Sequence, residues 1–193
     1  VRASASRTNK VMSELNVKYG KDQRSIPAPT TVLDAIKAFD RDVLKKSLAA
    51  KVNGEEVDLN RELTATDEVL SIEPITSDTR DGLEVLRHST AHLLAAAVLE
   101  LFPGTKLGVG PALMEDPRYG FYYDVIAPRT LTEADLPVIE KKMRQMAKGD
   151  LRYRREVVEK SAILDLFKGR EEPLKCELID EKVDGSATIY HID

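Results

Sequence analysis

The stretch TSDTRDG, residues 76–82, separates two hydrophobic patterns that do not continue one another. Ahead of it, short alternating runs surround a single helical pattern; behind it begins the longest helix-spaced run of the chain. A polar segment of Thr, Ser, Asp and Gly between two patterned regions reads as a linker. The 193 residues suffice for one large domain or two small ones, and this stretch selects two. The expected division is a flexible N-terminal segment at 1–10, a first domain at 11–77 and a second at 78–193.

In the first domain, MSELNVKYG supplies an extended segment and GKDQRSIPAPTT reads as turn-rich. TVLDAIKAF places Val32, Leu33, Ile36 and Phe39 on one helical face, with Thr30 or Thr31 positioned as its cap. LAAKVNGEEVDL is a hairpin signal, because Asn53-Gly54 can adopt the positive φ angles of a type I′ turn. TDEVLSIEPI closes the unit with Val69, Ser71 and Glu73 alternating against Leu70 and Ile72. Strands wrapped on one helix point to a small, ubiquitin-like β-grasp unit.

In the second domain a helix is expected from about Leu83 to Phe102, stopped by Pro103-Gly104. KLGVGPAL and YGFYYDVI look like paired strands. TLTEADLPVIEKKMRQMAKG reads as a second helix with Leu136, Ile139, Met143 and Met146 on one face and Gly149 as its stop. Pro137 argues for a cap at Asp135. Residues 151–193 read as a charged strand, a short helix at SAILDLF and two further strand-like runs, one holding Lys175. The expected class is α+β throughout.

Composition narrows the function classes. No apolar run approaches the length of a membrane span, and no membrane partner is expected. A single cysteine, Cys176, excludes an intramolecular disulfide framework. A formal charge of −4 argues against a generally basic nucleic-acid binder but leaves local patches open. No Walker-type phosphate loop is present. The opening VRASASRTNK, rich in Arg, Ser and Ala and free of acids, fits either a disordered tail or the end of an organelle transit peptide. The valine start and the strand-like ATIYHID close read as the ends of a piece of a longer protein.

Within RHSTAHLLAAAV, His88 and His92 lie about 40° apart on one side of a helix, one turn from each other. Leu86, Leu93, Leu94, Ala97 and Leu101 project to the other side, the expected core stripe, while Ala95 and Leu99 share the histidine face. Two imidazoles at this spacing can share a metal, but four-coordinate zinc needs at least one further ligand and usually two. Ser89 stands where the zinc-protease motif requires a glutamate. On this pattern alone, two partly solvated helix histidines are the favoured reading, and a site is the alternative.

Taken together, GLEVLRHSTAHLLAAAVLELFPGTKLGVGP, GFYYDV and RTLTEADLPVIEKKM resemble the editing domain of the threonyl-tRNA synthetase family. The unit ending KVNGEEVDLNRELTATDEVLSI resembles the TGS domain that precedes it there. Alanyl-tRNA synthetases share the H-x-x-x-H helix but not this order of units. The resemblance covers nearly the whole chain and implies the N-terminal part of a threonine–tRNA ligase, an ATP-dependent ligase of protein biosynthesis, with an editing domain truncated at its C-terminus. It implies hydrolysis of serine mischarged onto threonine tRNA. It assigns catalytic roles to His88, which positions water or accepts its proton, and to Lys175, and substrate contacts to His92 and Tyr123. It also implies a Cys-x-x-x-His pair beyond Asp193, so no metal site is expected within the chain, although His88 and His92 could form half of one. No cofactor is required by these residues; ATP and zinc are expected for the catalytic domain elsewhere in the protein. Threonine tRNA is the implied partner, and homodimerisation is implied through that other domain. The compartment is cytoplasmic, or plastid or mitochondrial if the N-terminus is a transit remnant.

Residues 141–160 hold eight Lys or Arg against three acids, and Arg152 and Arg154 flank Tyr153. This fits weak, salt-sensitive RNA contact or a solvated helix face beside an edge strand. Two other readings stand beside the editing enzyme: a TGS-containing binding or regulatory module without catalysis, and a metal-dependent hydrolase.

Overall fold

A computed structural model describes residues 13–116, 118, 120–149 and 153–192. The N-terminal segment 1–10 and Arg152 lie outside the described residues. The chain divides into two compact units, residues 1–86 and 87–193.

The first unit is a mixed five-stranded sheet in the order β2-β1-β7-β4-β5, formed by β1 (Ser13–Tyr19), β2 (Asp22–Ala28), β4 (Ser47–Val52), β5 (Glu55–Val57) and β7 (Leu70–Thr76). The first and last strands, β1 and β7, run parallel side by side, which requires a crossover; α1 (Val32–Phe39) lies on that path. Thr31 caps α1, its hydroxyl accepting from the Asp34 amide at 3.1 Å. Val32, Ala35 and Ile36 of α1 close over Leu15, Val17, Ala50 and Ile72 in a single core. Two short strands, β3 (Thr30–Thr31) and β6 (Glu62–Leu63), pair beside it, and a single turn, α2 (Arg41–Leu44), follows α1. The architecture is a β-grasp, as the strand-and-helix pattern indicated. Asn53 and Gly54 take φ of 52° and 87° between β4 and β5, the anticipated hairpin turn.

Two expectations need correction here. The supposedly turn-rich segment contains β2, paired with β1 along its whole length from Ser13↔Ala28 to Tyr19↔Asp22. As an edge strand it buries only Ile26 and Ala28, so its polar sequence hides the period of two. The linker is also shorter than seven residues. β7 runs to Thr76 and α3 (Arg80–Leu101) starts after three intervening residues, its first turn capped by the Thr79 hydroxyl, which accepts from the Gly82 amide at 3.0 Å. A Cβ at Gly82 would meet the Thr76 carbonyl oxygen at 1.9 Å, so only glycine permits this sharp entry.

The second unit contains most of α3, a hairpin with β8 (Lys106–Leu107) and β9 (Val125–Ile126), α4 (Leu136–Lys148), and a ribbon of β10 (Tyr153–Glu159) and β11 (Ser186–Ile192) with α5 (Lys160–Gly169) and α6 (Pro173–Lys182) between its strands. Its buried side chains include Ala91, Ala95, Ala97, Val98, Ile139, Ile163 and Ile179. The core stripe of α3 is thus built of alanines and Val98 rather than the predicted leucines. Leu86 is 47% exposed, while Leu93, Leu94 and Leu101 are half-buried. On α4, Ile139 is buried and Met143 and Met146 half-buried, but Leu136 is 61% exposed. Pro137 sits in the first turn, as the cap at Asp135 required. The run EPLKCELIDE is the helix α6 and not a strand. Among the described residues, no helix is long and apolar enough to cross a membrane.

Candidate active site

Three elements of the second unit, α3, the hairpin and α6, contribute side chains to one cluster. His88 is exposed and His92 half-buried, and their Nε2 atoms lie 3.1 Å apart with the rings edge-on. At that separation one nitrogen donates and the other accepts, so at least one ring is neutral. Burial, reinforced by the charges of His88 and Lys175, pushes His92 down to about 4. His92 is therefore an uncharged imidazole at neutral pH.

The hairpin delivers Tyr123, whose ring stands edge-on to His92 with centroids 6.5 Å apart. Two glycines let the hairpin close this tightly. A Cβ at Gly110 would fall 2.3 Å from Cδ2 of Tyr123, so the ring lies against bare backbone. Beside it, the Gly108 amide donates to the Asp124 carbonyl at 2.8 Å and the Asp124 amide to the Val109 carbonyl at 2.9 Å. The Arg87 guanidinium, next to His88 in sequence, donates to the Leu113 carbonyl at 2.6 Å and ties the far part of the hairpin to α3.

Lys175 comes from α6, 52 residues beyond Tyr123. Its ammonium donates to the Gly108 carbonyl at 2.7 Å and lies 3.4 Å from the Tyr123 hydroxyl. Burial lowers the Lys175 pKa, with Glu172 opposing that shift, and burial raises that of Tyr123. Glu172, at the start of α6, accepts from the Leu107 amide at 3.1 Å through Oε2. Paired imidazoles, a phenol and a partly desolvated ammonium thus form one contiguous set of side chains. Such a set can hold water, accept its proton and face a developing oxyanion.

His88, His92, Tyr123 and Lys175 are brought together from positions far apart in the chain. Sequence reasoning missed Glu172, Gly108, Gly110 and Arg87. The Glu-x-x-Lys spacing becomes a signal only once residues 173–182 are known to be helical. Arg154 lies on β10, where its guanidinium meets the Glu156 carboxylate at 3.4 Å. His191, opposite Arg154 in the ribbon, approaches the same carboxylate at 2.8 Å. The histidine pair offers two zinc ligands, but among the described residues no group of three or more His, Cys, Asp or Glu could hold a metal. The two histidines alone do not make up a zinc site.

Residues 18–72 match the TGS domain family. The chain is 37% identical over 180 residues to the threonine–tRNA ligase of Citrifermentans bemidjiense, covering 93% of this chain and 27% of that protein. It is 41% identical over 181 residues to the threonine–tRNA ligase of Oceanobacillus iheyensis, again covering 93% and 27%. With the threonine–tRNA ligase of Rubrobacter xylanophilus the identity is 44% over 146 residues, 76% of this chain and 21% of that protein. The chain thus spans about a quarter of the length of these curated relatives. It carries a TGS domain and is homologous, over most of its length, to the N-terminal region of threonine–tRNA ligases.

Proposed function

We propose that this chain is the N-terminal portion of a threonine–tRNA ligase, and that its second unit hydrolyses serine wrongly esterified to threonine tRNA. The observation that carries the hydrolytic reading is the convergence of His88, His92, Tyr123 and Lys175. The need for such a step is physical. Serine lacks one methyl of threonine, and a pocket discriminates against a missing methyl by only about 1–3 kcal/mol.

In this reading the water enters beside His88, the more exposed imidazole, which orients it and takes its proton. His92 stays neutral and fixes the His88 ring through the nitrogen–nitrogen hydrogen bond. The water oxygen adds to the ester carbonyl, and Lys175 faces the negative charge that develops on the carbonyl oxygen. The bond from that carbon to the ribose oxygen then breaks, the ribose oxygen takes up the proton, and serine and tRNA leave. The Tyr123 hydroxyl is placed to hydrogen-bond the aminoacyl-adenosine end. ATP belongs to the ligation reaction of the rest of the protein and enters none of these steps.

The test is deacylation by the full-length ligase that the reading requires. It should release serine from seryl-tRNA and spare threonyl-tRNA, and His88→Ala and Lys175→Ala should each abolish most of that release. The TGS match favours a second reading, a binding module with an inert second unit. Deacylation that survives both substitutions would decide for it.

A further inference from the structure

We infer that Glu172 is a positioning residue for this site, acting through Lys175 by clamping the end of β8 to the first turn of α6. The inference rests on the hydrolytic reading above. Glu172 and Lys175 stand three residues apart across the start of α6 and grip consecutive residues of the hairpin. The Glu172 carboxylate accepts the Leu107 amide at 3.1 Å, and the Lys175 ammonium donates to the Gly108 carbonyl at 2.7 Å. A third tie runs alongside, from the Lys106 ammonium to the Arg170 carbonyl at 3.0 Å.

The two grips differ in what they can do. Lys175 by itself leaves the helix turn free, because its hydrogen bonds to Gly108 and toward Tyr123 hold only the ammonium, at the end of a flexible stem. Glu172 fixes the second point, so the helix turn cannot rotate against the hairpin without breaking a carboxylate–amide bond. Pro173 adds stiffness, because its ring fixes φ in the first turn of the helix. Lys175 is then held at a set distance from the Tyr123 hydroxyl. A positioned ammonium matters because catalytic groups lose large factors for small misplacements.

The experiment compares Glu172→Ala, Glu172→Gln, Lys175→Ala and the double variant in the full-length ligase, following seryl-tRNA deacylation and amide exchange at Leu107. Glu172→Ala should slow turnover roughly tenfold or more with little change in KM. Glu172→Gln retains an acceptor for the Leu107 amide and should stay within about twofold of the parent. The double variant should be no slower than Lys175→Ala alone, because a residue acting through Lys175 has nothing left to position. If Glu172→Ala fails to fold, Glu172→Asp keeps the charge but withdraws it from Leu107, and it should show the same loss of turnover. Losses that multiply in the double variant, or parental rates in the Ala and Asp variants, would overturn the inference. A parental rate in Lys175→Ala would instead overturn the hydrolytic reading itself.

Discussion

A lysine ammonium carries three donors, and Lys175 directs one to the Gly108 carbonyl and a second toward the Tyr123 hydroxyl. Burial of the group strengthens whatever the remaining donor meets, because less water competes for it. Removing an oxyanion donor of this kind typically costs 10²–10³-fold in turnover. Lys175→Ala should therefore reduce single-turnover deacylation of seryl-tRNA by roughly 10²-fold while leaving the fold intact. Gly110 offers an independent probe of the same site, since a methyl there would push into the Tyr123 ring. The half-buried ring or the backbone beneath it must give way, so the stability cost of Gly110→Ala should be about 1–3 kcal/mol. Activity should fall with it, because the displaced phenol takes its hydroxyl away from Lys175. Denaturant unfolding and deacylation measured on the same preparation separate the two effects. Equal activity in Gly110→Ala and the parent would show that the position of Tyr123 is irrelevant.

Elements whose signals are local were legible in the sequence. The Asn53-Gly54 turn is specified by two residues, and both adopt the positive φ that such a turn demands. Gly54→Ala should cost roughly 1 kcal/mol in urea unfolding of the first unit, because an L side chain is strained at φ 87°. Thr31→Ala removes the hydroxyl that caps α1 and should cost a similar amount, about 1 kcal/mol. α6 was not legible. Leu174, Cys176 and Leu178 alternate with polar residues and imitate a strand, yet all three are half-buried on a helix whose one buried side chain is Ile179. The same limit governs the site. His88 and His92 announce themselves at one helical turn, whereas Tyr123 and Lys175 join them through tertiary contacts that no spacing encodes. They were reached only through the family resemblance, and Glu172 was missed with the helix that presents it.

For the molecule as a whole, the buried edge of the site couples to stability. His92 has a folded-state pKa depressed to about 4 from 6.5, because burial and the neighbouring His88 and Lys175 charges disfavour its imidazolium. Above pH 6.5 the ring is neutral whether folded or not, and its full contribution is present. As pH falls from 6.5 toward 4, the unfolded chain binds a proton that the folded chain refuses, and stability is lost. A shift of this size corresponds to about 3 kcal/mol for a dry ring; for a half-buried ring, solvent screening leaves roughly 1–2 kcal/mol. Asp135 does not confuse this window. Its carboxyl is held well below the usual range by the Arg129 guanidinium and the Thr132 amide, so its contribution is lost only below about pH 4. Urea unfolding of the second unit at pH 7 and at pH 4.5 should therefore show a deficit at the lower pH that His92→Gln removes, because the amide does not titrate. The His92→Gln protein will be less stable at pH 7 if the imidazole packing matters, but its curve between the two pH values should be flatter. Parallel pH dependence in the two proteins would mean that His92 titrates as a solvated histidine, and the paired rings would then face water instead of a protected site.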